Sequence, residues 1–170
     1  MGLLWVVLNP LLMMLLYTVV FGLIFKGKYG EREGGTVAYA MGIYLGIVTL
    51  HWITDTIAFG VNVVQSNSNL VKKVVFPLEA LPLSIFFNAS INFCFGLLVY
   101  LVAACALGYL SSTLLLSFAI IGVGSLLSLG VAFFVSAVGP FFRDLNQLVG
   151  FISLFLLNAS AVFYSIADIP

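Results

Sequence analysis

The sequence predicts an all-α fold: a polytopic transmembrane helix bundle with five spans. Two observations carry that expectation. Of the 170 residues, 63% are hydrophobic and 7% charged, with a mean hydropathy of +1.24, whereas soluble domains carry about 25% charged residues. A chain this apolar cannot cover its own surface with polar groups in water, and lipid is the solvent that suits it. The second observation is that the apolar residues fall into runs of about 20, the length of helix that crosses a bilayer. Barrel strands would alternate apolar and polar residues over about ten positions, and runs such as Leu97–Leu107 do not alternate.

The first span covers about residues 3–25, and the polar loop Lys26–Gly35 that follows holds five of the twelve formal charges. The second, about 37–61, is interrupted by His51 and Asp55 and leads into an amide-rich segment, Asn62–Lys73. The third, about 81–110, is roughly 42 Å of helix. That exceeds a hydrocarbon core of about 30 Å and predicts tilt or a protruding end. Pro77 and Pro82 predict a break near its start. A tight turn at Gly108–Ser112 leads to the fourth span, about 113–138; the polar stretch Gly139–Gln147 precedes the fifth, about 148–164. No basic segment precedes the first apolar run, so it does not read as a signal peptide. Basic residues do not orient the bundle: Lys26, Lys28 and Arg32 on one side balance Lys72, Lys73 and Arg143 on the other.

The charge pattern narrows the function. Six basic and six acidic residues, without a basic cluster, exclude a nucleic-acid footprint. No metal-ligand constellation is present, and Cys94 and Cys105, eleven residues apart in one apolar run, sit too far apart on a helix to bridge. Gly22-Leu-Ile-Phe-Lys-Gly27-Lys28-Tyr29 imitates a phosphate loop but ends in Tyr29 instead of the hydroxyl residue that holds magnesium, and it closes a membrane span where a phosphate loop opens a helix. Nucleotide chemistry is therefore expected on another chain. Asn88-Ala-Ser90 and Asn158-Ala-Ser160 fit the glycosylation pattern but lie inside apolar runs, where bonding between helices is the better reading. Gly42 and Gly46 form a small-residue pair that permits close helix packing.

His51 and Asp55 share one helix face. Ionisable groups at membrane depth are costly and face a protein interior or a wet cavity. The preferred reading is a mutually satisfied pair that holds helices together; a polar contact on a substrate path, or a proton relay, is the alternative. No further acid or base at that depth continues a relay. Among the aromatics, Tyr17 and Phe21 share a face of the first span, and Phe151 and Phe155 a face of the fifth. Such residues pack or face lipid, or provide a stacking surface for sugar rings.

The most informative segment is Asn69-Leu-Val-Lys72-Lys73-Val-Val-Phe76-Pro77-Leu-Glu79. It is short and amphipathic, and it suits a helix in the interface plane that presents one side to a cytoplasmic partner; Pro77 suits the first turn of the next helix. This run resembles the signature of type-2 ABC transporter permeases that export O-antigen polysaccharides and teichoic acids. Three collinear stretches resemble the same family. They are Gly2-Leu-Leu-Trp5 with Asn9-Pro10, Tyr17 and Val20-Phe21-Gly22; Pro140-Phe-Phe-Arg143-Asp144; and Val162-Phe163-Tyr164.

The resemblance implies an orientation, with the N-terminus and the Lys72 and Arg143 loops in the cytoplasm of a bacterial inner membrane. It implies a coupling segment, about 62–77, in which Asn69, Lys72, Lys73, Phe76, Pro77 and Glu79 meet a separate ABC ATPase subunit, with Arg143 and Asp144 on a second cytoplasmic loop. It implies a homodimer with a second permease copy, a lipid-linked glycan as substrate, and no cofactor in this chain, ATP and magnesium being held by the ATPase. Trp5, Tyr17, Phe21, Phe151, Phe155, Phe163 and Tyr164 are the candidate lining of the glycan path. Family members ordinarily carry a basic amphipathic helix before the first span and a sixth span at the end, so the sequence is expected to be a piece of a six-span permease. Ala161 and Ser165 stand where the family commonly has prolines, and His51 where it often has one. The competing classes are an ABC exporter of drugs or other lipids, which neighbouring glycosyltransferase genes would argue against; a non-transporting scaffold; and a membrane-embedded transferase, for which Asp144 and Asp168 are too isolated.

Overall fold

The computed structural model describes residues 4–20, 35–69, 77–108, 114–142 and 144–160. Among these residues there is no strand, and five helices follow one another: α1 (Leu4–Val19), α2 (Gly35–Ser66), α3 (Ala80–Leu107), α4 (Leu114–Val138) and α5 (Leu145–Ala159). Three stretches are long and apolar enough to cross a membrane, Val37–Ser66, Ala80–Leu107 and Phe118–Val138, and Leu8–Val19 and Leu145–Ala159 are shorter apolar helices. In lipid a helix satisfies its own backbone polar groups, which is why these sequences take that form. The hydroxyls inside them do likewise. Thr18 donates to the Met14 carbonyl at 2.8 Å, Thr49 to Leu45 at 2.9 Å and Ser153 to Val149 at 2.9 Å.

The helix ends show where local chemistry departs from the sequence expectation. α2 does not stop at Val61 but continues through Asn62 and Gln65 to Ser66. The turn before α3 is unbroken: the Pro77 carbonyl accepts from the Ala80 N–H at 3.0 Å, and Leu78 from Leu81 at 3.2 Å. Pro82, not Pro77, lies in the first helical turn, where its missing N–H costs no bond. α3 therefore starts as one continuous helix. It ends at Gly108, whose φ of +73° only glycine adopts freely and whose N–H reaches the Cys105 carbonyl at 3.3 Å. α5 begins after Asp144, whose carbonyl accepts from the Gln147 and Leu148 N–H groups at 3.0 and 3.3 Å. That residue is in the N-cap position, with its charge at the favourable end of the helix dipole.

The chain divides into two compact units. The first comprises Met1–Thr49, Asn92–Ser111 and Asn158–Pro170. Its buried residues include Ile43, Tyr44 and Ile47 on α2 and Phe93, Val99 and Ala104 on α3. The Tyr44 hydroxyl donates to the Gly96 carbonyl at 3.1 Å, and a Cβ at Gly96 would stand 2.6 Å from Val48 Cγ1, so the helices meet here because Gly96 has no side chain. Gly42, one member of the small-residue pair, has open space around it. Cys94 and Cys105 are free thiols.

The second unit comprises Leu50–Ile91 and Ser112–Leu157. Its contacts fix the direction of three helices. Trp52 bonds to Ser90, and Val63 clusters with Leu81 and Ile85, so α2 and α3 run antiparallel. Trp52 lies against Gly124, Thr56 meets Ser128 and Val61 meets Gly139, so α2 and α4 run parallel. From α2 to α3 to α4 the chain thus reverses direction at each step, as consecutive spans must.

Candidate coupling site at one end of the second unit

The interior of the second unit is a seam of small and polar residues. On α4, Ser128, Ala132 and Ser136 recur every four residues and are all buried. On α2, Trp52, Thr56 and Gly60 repeat at the same interval and are also buried. Thr56 Oγ1 and Ser128 Oγ share a hydrogen bond of 3.0 Å, and Thr56 also bonds to the Trp52 carbonyl at 2.7 Å. Trp52 Nε1 donates to Ser90 Oγ at 3.1 Å. Among the described residues Ser136 Oγ is buried with no hydrogen-bond partner. Such contacts hold membrane helices together, since lipid supplies neither a hydrophobic driving force between helices nor alternative partners.

The seam ends in a cluster of amides. Asn62 Nδ2 donates to Asn146 Oδ1 at 2.5 Å, and Asn146 Nδ2 donates back to Asn62 Oδ1 at 2.6 Å. Three residues along α2, Gln65 Nε2 donates to the Gly139 carbonyl at 3.3 Å. A Cβ at Gly139 would overlap the Val61 carbonyl oxygen. The last turns of α2, the end of α4 and the start of α5 are thus joined, and the connections leaving them, α2 to α3 and α4 to α5, emerge at the same end of the unit.

Of the residues that the sequence offers for coupling, four are described. Asn69, Pro77 and Glu79 are exposed beside α2 and α3, and Asp144 is exposed on the α4–α5 turn. Lys72, Lys73, Phe76 and Arg143 lie outside the described residues. Phe141 and Phe142, which no motif singled out individually, are 82% and 60% exposed on the same turn. His51 is exposed and Asp55 half-buried, one helical turn apart. Of the candidate glycan-path residues, Trp5 is exposed and Tyr17 half-buried in the first unit, and Phe151 and Phe155 are exposed on one face of α5 in the second. Phe21, Phe163 and Tyr164 lie outside the described residues, as does the phosphate-loop imitation at 22–29. Among the described residues no group of three or more His, Cys, Asp or Glu side chains is placed to hold a metal ion.

Sequence reading passed over Asn146 and read Asn62 as loop. A signal was present: amides at the boundary of an apolar run either face water or pair across helices, and only the fold shows which. Ser90, in the Asn88-Ala-Ser90 pattern, bonds between helices through Trp52, as the sequence leads one to expect.

Apolar helices that reverse direction one after another, around hydroxyls bonded between helices, define a polytopic helical membrane protein. The profile of the ABC-2 type transporter family matches residues 1–170, and the chain belongs to that family. It is 25% identical over 169 residues to the O-antigen export system permease protein RfbA of Myxococcus xanthus, covering 99% of this chain and 62% of that protein. It is also 25% identical over 171 residues to the protein of the same name from Klebsiella pneumoniae, covering 99% of this chain and 63% of that one. The chain thus spans less than two thirds of the length of these relatives.

Proposed function

We propose that this chain is the membrane-spanning part of an ATP-driven exporter of lipid-linked polysaccharide, working in a bacterial inner membrane as a pair of permease copies with a separate ATPase. The observation that carries the reading is the convergence of the α2–α3 and α4–α5 connections at one end of the second unit, in a chain that matches the transporter family throughout. The choice of a glycan rests on the relatives, whose names make them O-antigen export permeases.

On this reading the ATPase docks on residues 67–76. Lys72 and Lys73 orient the segment against acidic groups or anionic lipid headgroups, and Phe76 enters an apolar cleft of the ATPase. ATP and magnesium sit on that subunit, and the permease supplies no catalytic residue. Closure of the ATPases moves the segment, and the two permease copies shift to open a path between them. Exposed aromatics such as Phe151 and Phe155 offer the apolar faces of sugar rings a surface to slide along. Replacing Phe76 with Asp places a charge in the cleft; ATP hydrolysis should persist while glycan export in cells falls at least about tenfold, the cost of burying an unpaired charge. Unchanged export contradicts the reading.

A further inference from the structure

We infer that the reciprocal amide pair Asn62–Asn146 is the linkage that passes movement of the α2–α3 connection to α5, which makes both asparagines positioning residues for transport. The inference rests on the docking reading above. Each amide uses one donor and its acceptor on the other, so two parallel bonds of 2.5 and 2.6 Å join the side chains. A single hydrogen bond pivots, whereas two side by side resist rotation and shear. Asn62 lies in the last turns of α2, immediately before the segment proposed to receive the ATPase, and Asn146 is the second residue of α5. The pair therefore connects the two helices directly, without passing through α4.

The rest of α5 makes this connection matter. Among the described residues of α5 Val149 is buried, whereas Leu148, Phe151 and Phe155 are exposed. The neighbouring contacts supply the other half of a rigid body: Gly139 abuts the Val61 backbone and accepts from Gln65, so the end of α4 moves with α2 as well. The amide pair is also exposed, and an exposed hydrogen bond adds little net stability because water replaces it. Its loss should spare folding and affect transmission.

The test uses the full chain assembled with its ATPase in membrane vesicles. Cys94→Ser and Cys105→Ser remove the two thiols, and Gly150→Cys on α5, where an added side chain meets nothing within 4 Å, carries a bimane fluorophore. Trapping the ATPase with magnesium, ATP and vanadate should shift the bimane emission. Asn62→Ala or Asn146→Ala should remove most of that shift, with vanadate trapping and the amount of complex unchanged. The double alanine variant should be no worse than either single one, because either substitution breaks the pair. Asn62→Asp combined with Asn146→Lys should restore the shift through an ion pair. An undiminished shift in the single variants, additive losses, or no restoration by the Asp–Lys pair overturns the inference. If the unaltered chain traps no vanadate, the docking reading falls and this inference falls with it.

Discussion

Gly139 shows how much depends on a missing side chain. Its Cα faces the Val61 backbone so closely that a methyl group would overlap a carbonyl oxygen. Backbone cannot yield as a flexible side chain does, so Gly139→Ala should destabilise the folded chain by at least about 2 kcal/mol, seen as a lower yield of folded protein in detergent and a lower melting temperature. Gly124→Ala meets only the Trp52 ring at 3.4 Å, an ordinary contact, and is the control expected to be mild. The hydroxyls of α4 make an opposite pair of predictions. Ser128→Ala removes the bond to Thr56 and should cost about 0.6 kcal/mol, typical of hydrogen bonds between membrane helices. Ser136→Ala deletes a buried hydroxyl with no partner and should be neutral or stabilising by up to about 1 kcal/mol. Unfolding of both variants in the same detergent checks the sign, and a destabilised Ser136→Ala protein would mean that the hydroxyl has a bonded role. None of these positions stood out in the sequence. A serine inside an apolar run carries no mark of whether it bonds to its own helix, to another, or to nothing.

Among the elements, α2 carries most of the organisation. Its successive turns meet α3 at Ser90 and at Leu81 and Ile85, α4 at Gly124, Ser128 and Gly139, and α5 at Asn146. It was also the least regular span on paper, because His51 and Asp55 interrupt it and the amides after Val61 resemble a loop. Both irregularities are polar groups placed on a continuing helix. Asp55 is half-buried one helical turn from the exposed His51, and we propose that the two satisfy one another. Asp55→Asn should then reduce the amount of assembled complex in the membrane more than export per assembled complex, measured by quantifying both in the same cells. Normal assembly with lost export would instead put the pair on the substrate path. The apolar runs made the helices and their order legible, because length and lack of charge suffice to identify a span. The helix ends were less so. Pro82, Gly108 and Asp144 set the boundaries through local backbone chemistry, and of these only the glycine turn was anticipated.

At the scale of the molecule, family membership and the direction of α2, α3 and α4 agree on a polytopic protein whose cytoplasmic work, on the proposed reading, is done at one end. Neither composition nor basic-residue asymmetry could orient it, since the charged loops balance three against three. What the sequence did disclose was a set of collinear family motifs, and the fold then joined two of the segments that bear them through Asn62, Asn146, Gln65 and Gly139. The central claim is that an ATPase docks on the α2–α3 connection. Photo-crosslinking tests it most directly: p-benzoylphenylalanine is introduced at Lys72 or Lys73, and as a control at the exposed Leu107 at the far end of α3, in cells making the chain with its ATPase. The account predicts an adduct with the ATPase from positions 72 and 73 and none from 107. No adduct from 72 and 73, or an equal adduct from 107, contradicts it.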